Sequence, residues 1–230
     1  MSNRTIEAIL KKQLAQYHLF REQLAESRDQ AAPRPAPVIA VSNMTGCCPR
    51  DLSRLLSERL DCQVWEPDVI DLVARDVRLR QEVAAILEAD VVERIDGEIE
   101  AMIARHRCRD DEGTIALVRV IKILAETGGV VLQGRGGAFV LGDRADLRLR
   151  LVAGERHRIE HIMRRRGIDA REAGVAMRAG DSQSTTFVRR QFHADVSDPR
   201  RYDLVLNTER LEPEAAADLA ERFLDVRRRD

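Results

Sequence analysis

The segment that decides the fold is Val38-Ile-Ala-Val-Ser42, which continues as Asn43-Met-Thr-Gly-Cys-Cys-Pro-Arg-Asp51. Its first four residues are an apolar run that predicts a short buried strand. Pro49 suits the first turn of a helix, where its missing N–H would have no partner, and the negative charge of Asp51 suits a helix N-terminus. The segment therefore predicts a strand, a tight turn and a helix that begins near residue 49.

Strand-like and helical segments alternate along the rest of the chain. The predicted strands cover residues 38–41, 62–65, 129–133, 147–152 and 204–206. The predicted helices cover residues 49–60, 67–75, 78–106, 112–127, 154–166, 169–179 and 212–227. This alternation favours a doubly wound α/β domain with a parallel sheet. Ligands bind such sheets beyond the carboxyl ends of the strands, which makes residues 42–50 the candidate site.

The N-terminal segment has a different pattern, with apolar residues at near-helical spacing between charged ones. These positions are Ile6, Leu10, Leu14, Tyr17 and Leu24. Prolines in residues 31–37 then end any helix. We therefore expect an amphipathic helix at 1–30, a Pro-rich linker at 31–37 and one domain at 38–230. The apolar face of the helix would pack on its own domain, on a second copy in a homodimer, or on a protein partner.

The composition limits the partners and the location of the protein. Of its 230 residues, 33% are charged and 44% are hydrophobic, yet the formal net charge is only -1. Such a balance gives no general attraction to nucleic acid or to an anionic membrane, so we expect neither as a partner. The sequence has no apolar run long enough to span a membrane and no secretory signal, so we expect a soluble, cytoplasmic protein.

The cysteines do not follow a metal-binding pattern. Cys47, Cys48, Cys62 and Cys108 form no C-x-x-C pair and have no histidine at zinc-ligand spacing, so no metal site is predicted. Two interpretations of the adjacent pair at 47 and 48 stay open. They are either ordinary reduced thiols or a thiol-reactive pair whose pKa is lowered by the helix N-terminus.

Residues 44–51 occupy the place of a phosphate-binding loop but lack its usual residues. In the motif G-x-x-x-x-G-K-[ST], glycines let backbone N–H groups close around phosphates and the lysine neutralises their charge. Aligning Arg50 with the lysine puts Met44 and Pro49 at the glycine positions and Asp51 at the hydroxyl position. Pro49 has no N–H to offer and Asp51 would repel a phosphate. Taken alone, the segment also fits an ordinary strand–turn–helix junction.

Separated segments elsewhere in the chain together resemble a known family. These segments are Gly134-Arg-Gly-Gly137, Leu147–Val152 with the following Glu155-Arg-His-Arg-Ile-Glu160, Phe187-Val-Arg-Arg-Gln-Phe192, and Asp198-Pro199 before Tyr202-Asp-Leu-Val-Leu-Asn-Thr208. In this order they resemble the cytidylate kinase-like family of P-loop nucleoside monophosphate kinases, over roughly residues 37–226. The family loop reads Gly-Ser-Gly-Gly-Arg-Glu where this chain has Gly46-Cys-Cys-Pro-Arg-Asp51. Arg50 and Asp51 thus follow the family, whereas Cys48 and Pro49 replace its glycines.

The resemblance implies a fold and an activity. The fold would be a three-layer α-β-α P-loop NTPase-like domain, with a helical insertion at residues 78–127 over the acceptor and a mobile lid. The activity would be transfer of the γ-phosphoryl group of ATP, with Mg²⁺, to a nucleoside monophosphate, with CMP or dCMP as the expected acceptor.

The resemblance also implies site residues. The donor nucleotide would contact Gly46, Cys47, Cys48, Arg50, Asp51 and Asn207, and the acceptor would contact Glu66, Gly134, Arg135, Gly136 and Asp181. Catalytic charge would come from Arg50, Arg135, Arg189 and Arg190. Arg135 could instead form a structural salt bridge, and the last two arginines could simply face solvent. Ser184 stands where the family has a further arginine.

Two functions follow from these observations. The chain is either a working phosphotransferase with an unusual loop, or a nucleotide-binding or protein-interaction module that has lost catalysis. The four arginines expected to supply catalytic charge favour the first, whereas Cys48, Pro49, Asp51, Ser184 and the N-terminal helix favour the second.

Overall fold

A computed structural model describes residues 36–227 and, before them, only residues 8, 15 and 19, which are helical. The predicted helix at 1–30, apart from those three positions, and residues 31–35 of the predicted linker lie outside the described residues. The linker's last two residues are described, because the carbonyl groups of Ala36 and Pro37 accept hydrogen bonds from the N–H groups of Gly129 and Val130. The division of the chain into three units stays a prediction.

Residues 36–227 form five strands and nine α-helices. The strands are β1 Val38–Asn43, β2 Gln63–Trp65, β3 Val130–Gln133, β4 Leu147–Val152 and β5 Leu204–Asn207. The helices are α1 Pro49–Leu60, α2 Pro67–Arg75, α3 Val77–Ala84, α4 Ala89–Ala104, α5 Glu112–Thr127, α6 Gly137–Leu141, α7 Glu155–Arg166, α8 Ala170–Phe192 and α9 Pro213–Arg227. Short 3-10 turns occupy Gly142–Arg144 and Pro199–Arg201.

The strands form one sheet in the order β2-β3-β1-β4-β5, and every pair is parallel. Side chains alternate across this sheet, so each face carries its own apolar layer. Val38 and Ala40 of β1 face a layer that contains Trp65 and helices α2 to α6, whereas Ile39 and Val41 face a layer formed with α1 and α9. The predicted α/β class with a parallel sheet between two helical layers is confirmed.

The predicted helix at 78–106 is wrong in one respect, because the chain breaks it into α3 and α4. Ile86 and Leu87 lie between the two helices, and both are buried in the core. Their burial depends on partners far along the chain, which the local pattern does not show.

The predicted helix at 169–179 was too short, since α8 continues to Phe192. Residues 180–186 are Gly-Asp-Ser-Gln-Ser-Thr-Thr, which are weak helix formers. The buried side chains of Val188 and Phe192 extend the apolar face of α8 beyond them. Packing therefore overrides local propensity here.

Within residues 36–227, no helix is both long enough and apolar enough to cross a bilayer.

In the turn between β3 and α6, we expect a side chain in place of Gly136 to destabilise the fold. Gly136 has φ +72, and a Cβ atom there would overlap the ring of Phe192 at the end of α8. We expect Gly136→Ala to lower the free energy of unfolding by about 2 kcal/mol, because it adds both strain and a clash. Gly97 in α4 is the matched control, since nothing lies within 4 Å of an added Cβ, and Gly97→Ala should raise the same quantity by about 0.5 kcal/mol. Urea unfolding measures both changes; equal effects would contradict the packing described here.

Because of the ion pair of Arg148 and Asp203, we expect the free energy of unfolding to depend on pH. Arg148 Nη2 and Nε donate to the two Asp203 oxygens at 2.7 and 3.1 Å. Burial raises the pKa of Asp203, but the hydrogen bonds from Arg148, together with the charges of Arg148 and Arg227, hold that pKa below its usual range. A lowered folded-state pKa adds stability above the unfolded-state value of about 4, and this stability is lost as the pH falls through the folded-state value.

We therefore expect Asp203→Asn to lower the free energy of unfolding by about 2 kcal/mol at neutral pH. The difference from the wild type should shrink as the pH falls below about 4. Urea unfolding at a series of pH values measures it, and a difference independent of pH would show that the Asp203 charge does not contribute.

Candidate functional site

The carboxyl ends of β1 and β3 lie side by side, with Val41 opposite Gln133. The loop that follows β1 and the turn that follows β3 therefore face a common hollow, a cavity of about 190 Å³. Helix α8 closes one side of it. The cavity is lined from β1 and its loop by Ser42, Asn43 and Thr45, from the turn by Gly134, Arg135 and Gly136, and from α8 by Gly180, Gln183, Ser184 and Phe187. Two segments singled out separately in the sequence thus meet at one site.

The loop after β1 is held in a left-handed conformation at two positions. Gly46 has φ +96, and a Cβ there would come within 2.9 Å of the Cβ and carbonyl oxygen of Arg158, so α7 packs directly on this residue. Cys48 has φ 51 and precedes Pro49, the first residue of α1. The Cys47 N–H donates to the Met44 carbonyl at 3.2 Å. Among the described residues the N–H groups of Gly46 and Cys48 have no acceptor, so the loop retains amides for a ligand.

An ion pair between the buried Arg158 and the half-buried Asp181 fixes the side of the loop that faces α8. Asp181 accepts a hydrogen bond from the Thr45 N–H at 2.8 Å and another from Arg158 Nη1 at 2.5 Å. Arg158 Nη1 also donates to the Thr45 carbonyl at 3.2 Å. Arg158 is only 6% exposed, and its Nε has no partner within the described part of the chain. The predicted acceptor residue Asp181 therefore binds the loop in the ligand-free protein.

Sequence reasoning did not single out Arg158. It is one of several charged residues at the start of α7, and only its burial distinguishes it from its neighbours. A buried charge is retained in a fold when other groups pair with it, which here are Asp181 and the loop carbonyl.

Arg50 and Glu66, predicted on the donor and acceptor sides, bind each other. Arg50 Nη2 lies 2.9 Å from Glu66 Oε2, and the Arg50 side chain is 55% exposed. An ion pair so exposed contributes little to stability, so a phosphate can draw Arg50 away at small cost.

Arg135 stands between two cavities. It has φ 47, its Nη2 lies 2.6 Å from Asp71 Oδ2, and its guanidinium lies over the Phe187 ring at 5.6 Å. Its buried Nε has no acceptor among the described residues. A second cavity of about 610 Å³ lies on its far side. The charged and amide side chains that line this cavity are Asp71, Arg75, Arg80, Asp111, Glu112, Arg135, Gln183 and Gln191. Arg135 thus has a free donor and room on both sides.

The other predicted site residues lie further out. Arg189 and Arg190 are exposed in the last turn of α8, line neither cavity, and form no ion pair with a described residue. Asn207 ends β5, where its side chain accepts a hydrogen bond from the Glu209 N–H at 3.0 Å. Its neighbour Thr208 lines a third cavity, of about 250 Å³, together with Cys47, Cys48 and Asp51. The roles assigned to these residues stay predictions.

The geometry around the adjacent cysteines favours unreactive thiols over a reactive pair. Burial raises the pKa of Cys47 and, together with Asp51, raises that of Cys48 to about 11. Cys48 Sγ lies 3.0 Å from the ring nitrogens of His161, whose own pKa is lowered by burial. Both thiols therefore stay protonated at neutral pH. Residues 36–227 also contain no group of three or more His, Cys, Asp or Glu side chains placed to hold a metal ion.

Comparison with known proteins relates both the sequence and the fold to other chains. The chain is 29% identical over 116 residues to a cytidylate kinase of Ignicoccus hospitalis and 30% identical over 101 residues to one of Pyrococcus horikoshii. The alignments cover 50% and 44% of this chain, and they cover 67% and 52% of those relatives. A crystal structure of a protein from Eubacterium ventriosum matches 82% of this chain and 98% of its own with a TM-score of 0.63. At 17% identity, that match shows the fold alone.

The model of the cytidylate kinase-like family matches residues 38–210, from the first residue of β1 to just beyond β5. This range contains the loop after β1, the turn after β3, and helices α7 and α8 that close over them. The chain therefore belongs to the cytidylate kinase-like family.

Proposed function

We propose that this chain is a nucleotide kinase that transfers a phosphoryl group from ATP, with Mg²⁺, to a nucleoside monophosphate, and that CMP or dCMP is the acceptor. The observation that carries the proposal is the shared hollow between the loop after β1 and Arg135. Phosphoryl transfer needs two phosphates brought together among positive charges and shielded from water. The proposal is supported by the position of Arg135, which lines the hollow and also the larger cavity beyond it.

The donor side fits ATP through backbone amides and one mobile arginine. The free N–H groups of Gly46 and Cys48, with the N-terminus of α1, offer hydrogen bonds to phosphate oxygens. Arg50 adds positive charge once it leaves Glu66. The cavity beside Cys47, Cys48 and Thr208 would take the rest of the donor nucleotide, next to Asn207.

Magnesium fits this site as a partner of the phosphates. Mg²⁺ that is bound with a nucleotide needs only one or two protein carboxylates, because phosphates and waters complete its shell. Asp51 in the first turn of α1 and Asp181 beside the loop are the carboxylates in place. When bound, the ion would neutralise charge on the donor phosphates.

The acceptor side fits a nucleoside monophosphate through Arg135. Its planar guanidinium can bind two phosphate oxygens, and its free Nε already lacks a partner among the described residues. Asp71 holds it in the ligand-free protein and keeps it oriented. The cavity beyond, lined by Gln183 and Gln191 among other polar groups, offers donors and acceptors to a base. CMP and dCMP are proposed from the family and from the named activity of the relatives.

The predicted role of Arg189 and Arg190 in a mobile lid requires motion of α8. Arg189 and Arg190 lie in its exposed last turn, so they would reach the transferring group only if that turn moved toward the hollow. Ser184, which lines the hollow, brings no charge of its own.

A second candidate function, a nucleotide-binding or protein-interaction module with impaired catalysis, is favoured by the loop. Pro49 removes one amide, and the Thr45 amide is already bound to Asp181. Each lost donor in a phosphoryl-transfer site lowers the rate on the order of a hundredfold. The measurement that separates the two functions is ADP formation from ATP and Mg²⁺ with each common nucleoside monophosphate in turn. Absence of turnover with all of them would favour the impaired module.

Replacement of Arg135 tests the acceptor side. We expect Arg135→Met to lower kcat/KM for CMP by about a hundredfold, because the acceptor phosphate loses its bidentate partner. Arg59→Met is the control, since Arg59 lies at the far end of α1 and pairs with Asp218 and Glu221. Unchanged kcat/KM in Arg135→Met would show that Arg135 does not bind the acceptor phosphate.

Restoring the missing amide tests the donor side. Pro49→Ala returns an N–H at the first position of α1, and we expect it to tighten ATP binding about tenfold through one charge-assisted hydrogen bond. Pro199→Ala makes the same change at the start of an exposed 3-10 turn that lines none of the three cavities, and it should leave ATP binding unchanged. Calorimetric titration with ATP and with CMP measures both variants. Equal ATP affinity in wild type and Pro49→Ala would show that this amide does not face a phosphate.

A further inference from the structure

Arg150 is a buried charge for which the described residues supply no carboxylate partner. It lies on β4 and is 8% exposed. Its Nη1 donates to Ser42 Oγ at 2.6 Å, and its guanidinium lies 5.9 Å from the ring centroid of Tyr202. No described Asp or Glu side chain lies within ion-pair distance of it. Burying an uncompensated charge is expensive, so a fold retains one when something else supplies the opposite charge.

The nearby acidic residues are engaged elsewhere. Asp195 accepts hydrogen bonds from the N–H and hydroxyl of Ser197, and Asp198 binds Arg200. The hydrogen bonds from Ser197 are the main cause that lowers the pKa of Asp195, and Arg150 adds to this from a distance. Asp195 therefore stabilises the charge of Arg150 only from a distance, and neither carboxylate pairs with it.

Arg148, on the same strand as Arg150, does have a carboxylate partner. It lies two residues earlier on the same face of β4 and binds both oxygens of Asp203. The chain therefore provides a carboxylate for one arginine of β4 and only a hydroxyl for the next.

The hydroxyl of Ser42 connects Arg150 to the hollow. Ser42 lies opposite Arg150 in the sheet and lines the cavity between the loop after β1 and Arg135. Since Ser42 Oγ accepts from Arg150, its own hydrogen is left to donate. The Tyr202 hydroxyl donates to the Val196 carbonyl at 2.8 Å and lies at the long end of hydrogen-bond distance from Ser42 Oγ, at 3.4 Å. A phosphoryl oxygen closer to Ser42 would displace this weak contact.

We infer that Ser42 and Arg150 form an anion-binding pair of the hollow, in which Ser42 donates a hydrogen bond to an oxygen of a phosphoryl group and Arg150 compensates its charge from behind. The inference deepens the proposed function and rests on a phosphorylated ligand entering this cavity. Ser42 is the binding residue. Arg150 is a positioning residue, because it acts through the serine hydroxyl and does not itself line the cavity.

A distinctive consequence is that Arg150 destabilises the ligand-free protein while it strengthens binding. We expect Arg150→Met to raise the urea midpoint without ligand, because it removes a buried charge and fills its volume. The same variant should bind pyrophosphate about tenfold more weakly than the wild type. Arg150→Lys keeps the charge and should recover part of the affinity. Ser42→Ala should weaken pyrophosphate binding similarly and lower the midpoint, since Arg150 then loses its acceptor.

The experiment is calorimetric titration of the full chain with pyrophosphate, and a titration with sodium chloride at matched ionic strength is its salt control. Urea unfolding of each variant without ligand gives the midpoints. Arg148→Met is the matched control, and it should lower the midpoint through the loss of the two side-chain hydrogen bonds to Asp203 but leave pyrophosphate affinity unchanged. Three results would each overturn the inference: no pyrophosphate binding by the wild type, wild-type affinity in both Ser42→Ala and Arg150→Met, or an Arg150→Met protein that is less stable than the wild type or does not fold.

Turnover of the same samples separates this inference from the proposed function. Phosphoryl transfer that is unchanged in Ser42→Ala would overturn the inference and leave the kinase standing. Pyrophosphate binding that depends on Arg150, in a wild type without turnover, would support the anion-binding pair and exclude the kinase.

Discussion

The parallel pairing of β1 with β3 on one side and β4 on the other is the constraint on which the rest of the structure depends. Parallel strands end at the same edge of a sheet, so their loops converge without any direct sequence relation. This register brings the loop of residues 44–48, the turn at Gly134–Gly136 and Arg150 to one place. The apolar layers on both faces fix that register, because a shift of one residue would turn the buried side chains of β1 to the opposite face.

Three arginines around the hollow are held by carboxylates in the ligand-free protein. Arg50 binds Glu66, Arg135 binds Asp71 and Arg158 binds Asp181. A phosphate that bound any of these arginines would have to compete with its acid, and the cost of that competition would rise with burial, from the exposed Arg50 to the buried Arg158. Arg150 differs from all three, since it has no carboxylate partner among the described residues and contacts the Ser42 hydroxyl and the Tyr202 ring instead. The four arginines therefore differ in how strongly the ligand-free protein holds them.

The loop after β1 departs further from the family motif than the turn after β3 does. Cys48 adopts a left-handed conformation that a glycine would adopt without strain, and Pro49 begins α1 without an N–H. The turn around Arg135 keeps its glycines, and Gly136 sits so close to Phe192 that no other residue fits. The turn after β3 thus keeps the glycines of the family motif, whereas the loop after β1 has fewer backbone amides to offer a ligand.

The sequence by itself determined the strands, most helices and the two segments that flank the hollow, because apolar periodicity, glycine and proline act locally. It also determined the family, through motifs such as Gly134-Arg-Gly-Gly137 that keep their spacing. Only the tertiary structure decided that α8 reaches Phe192, that Arg158 and Asp181 clamp Thr45, and that Arg150 is buried without a carboxylate partner among the described residues. The physical reason is that burial and charge pairing depend on residues far apart in the chain. An arginine on a strand or helix looks the same in sequence whether it faces water, an acid or a ligand.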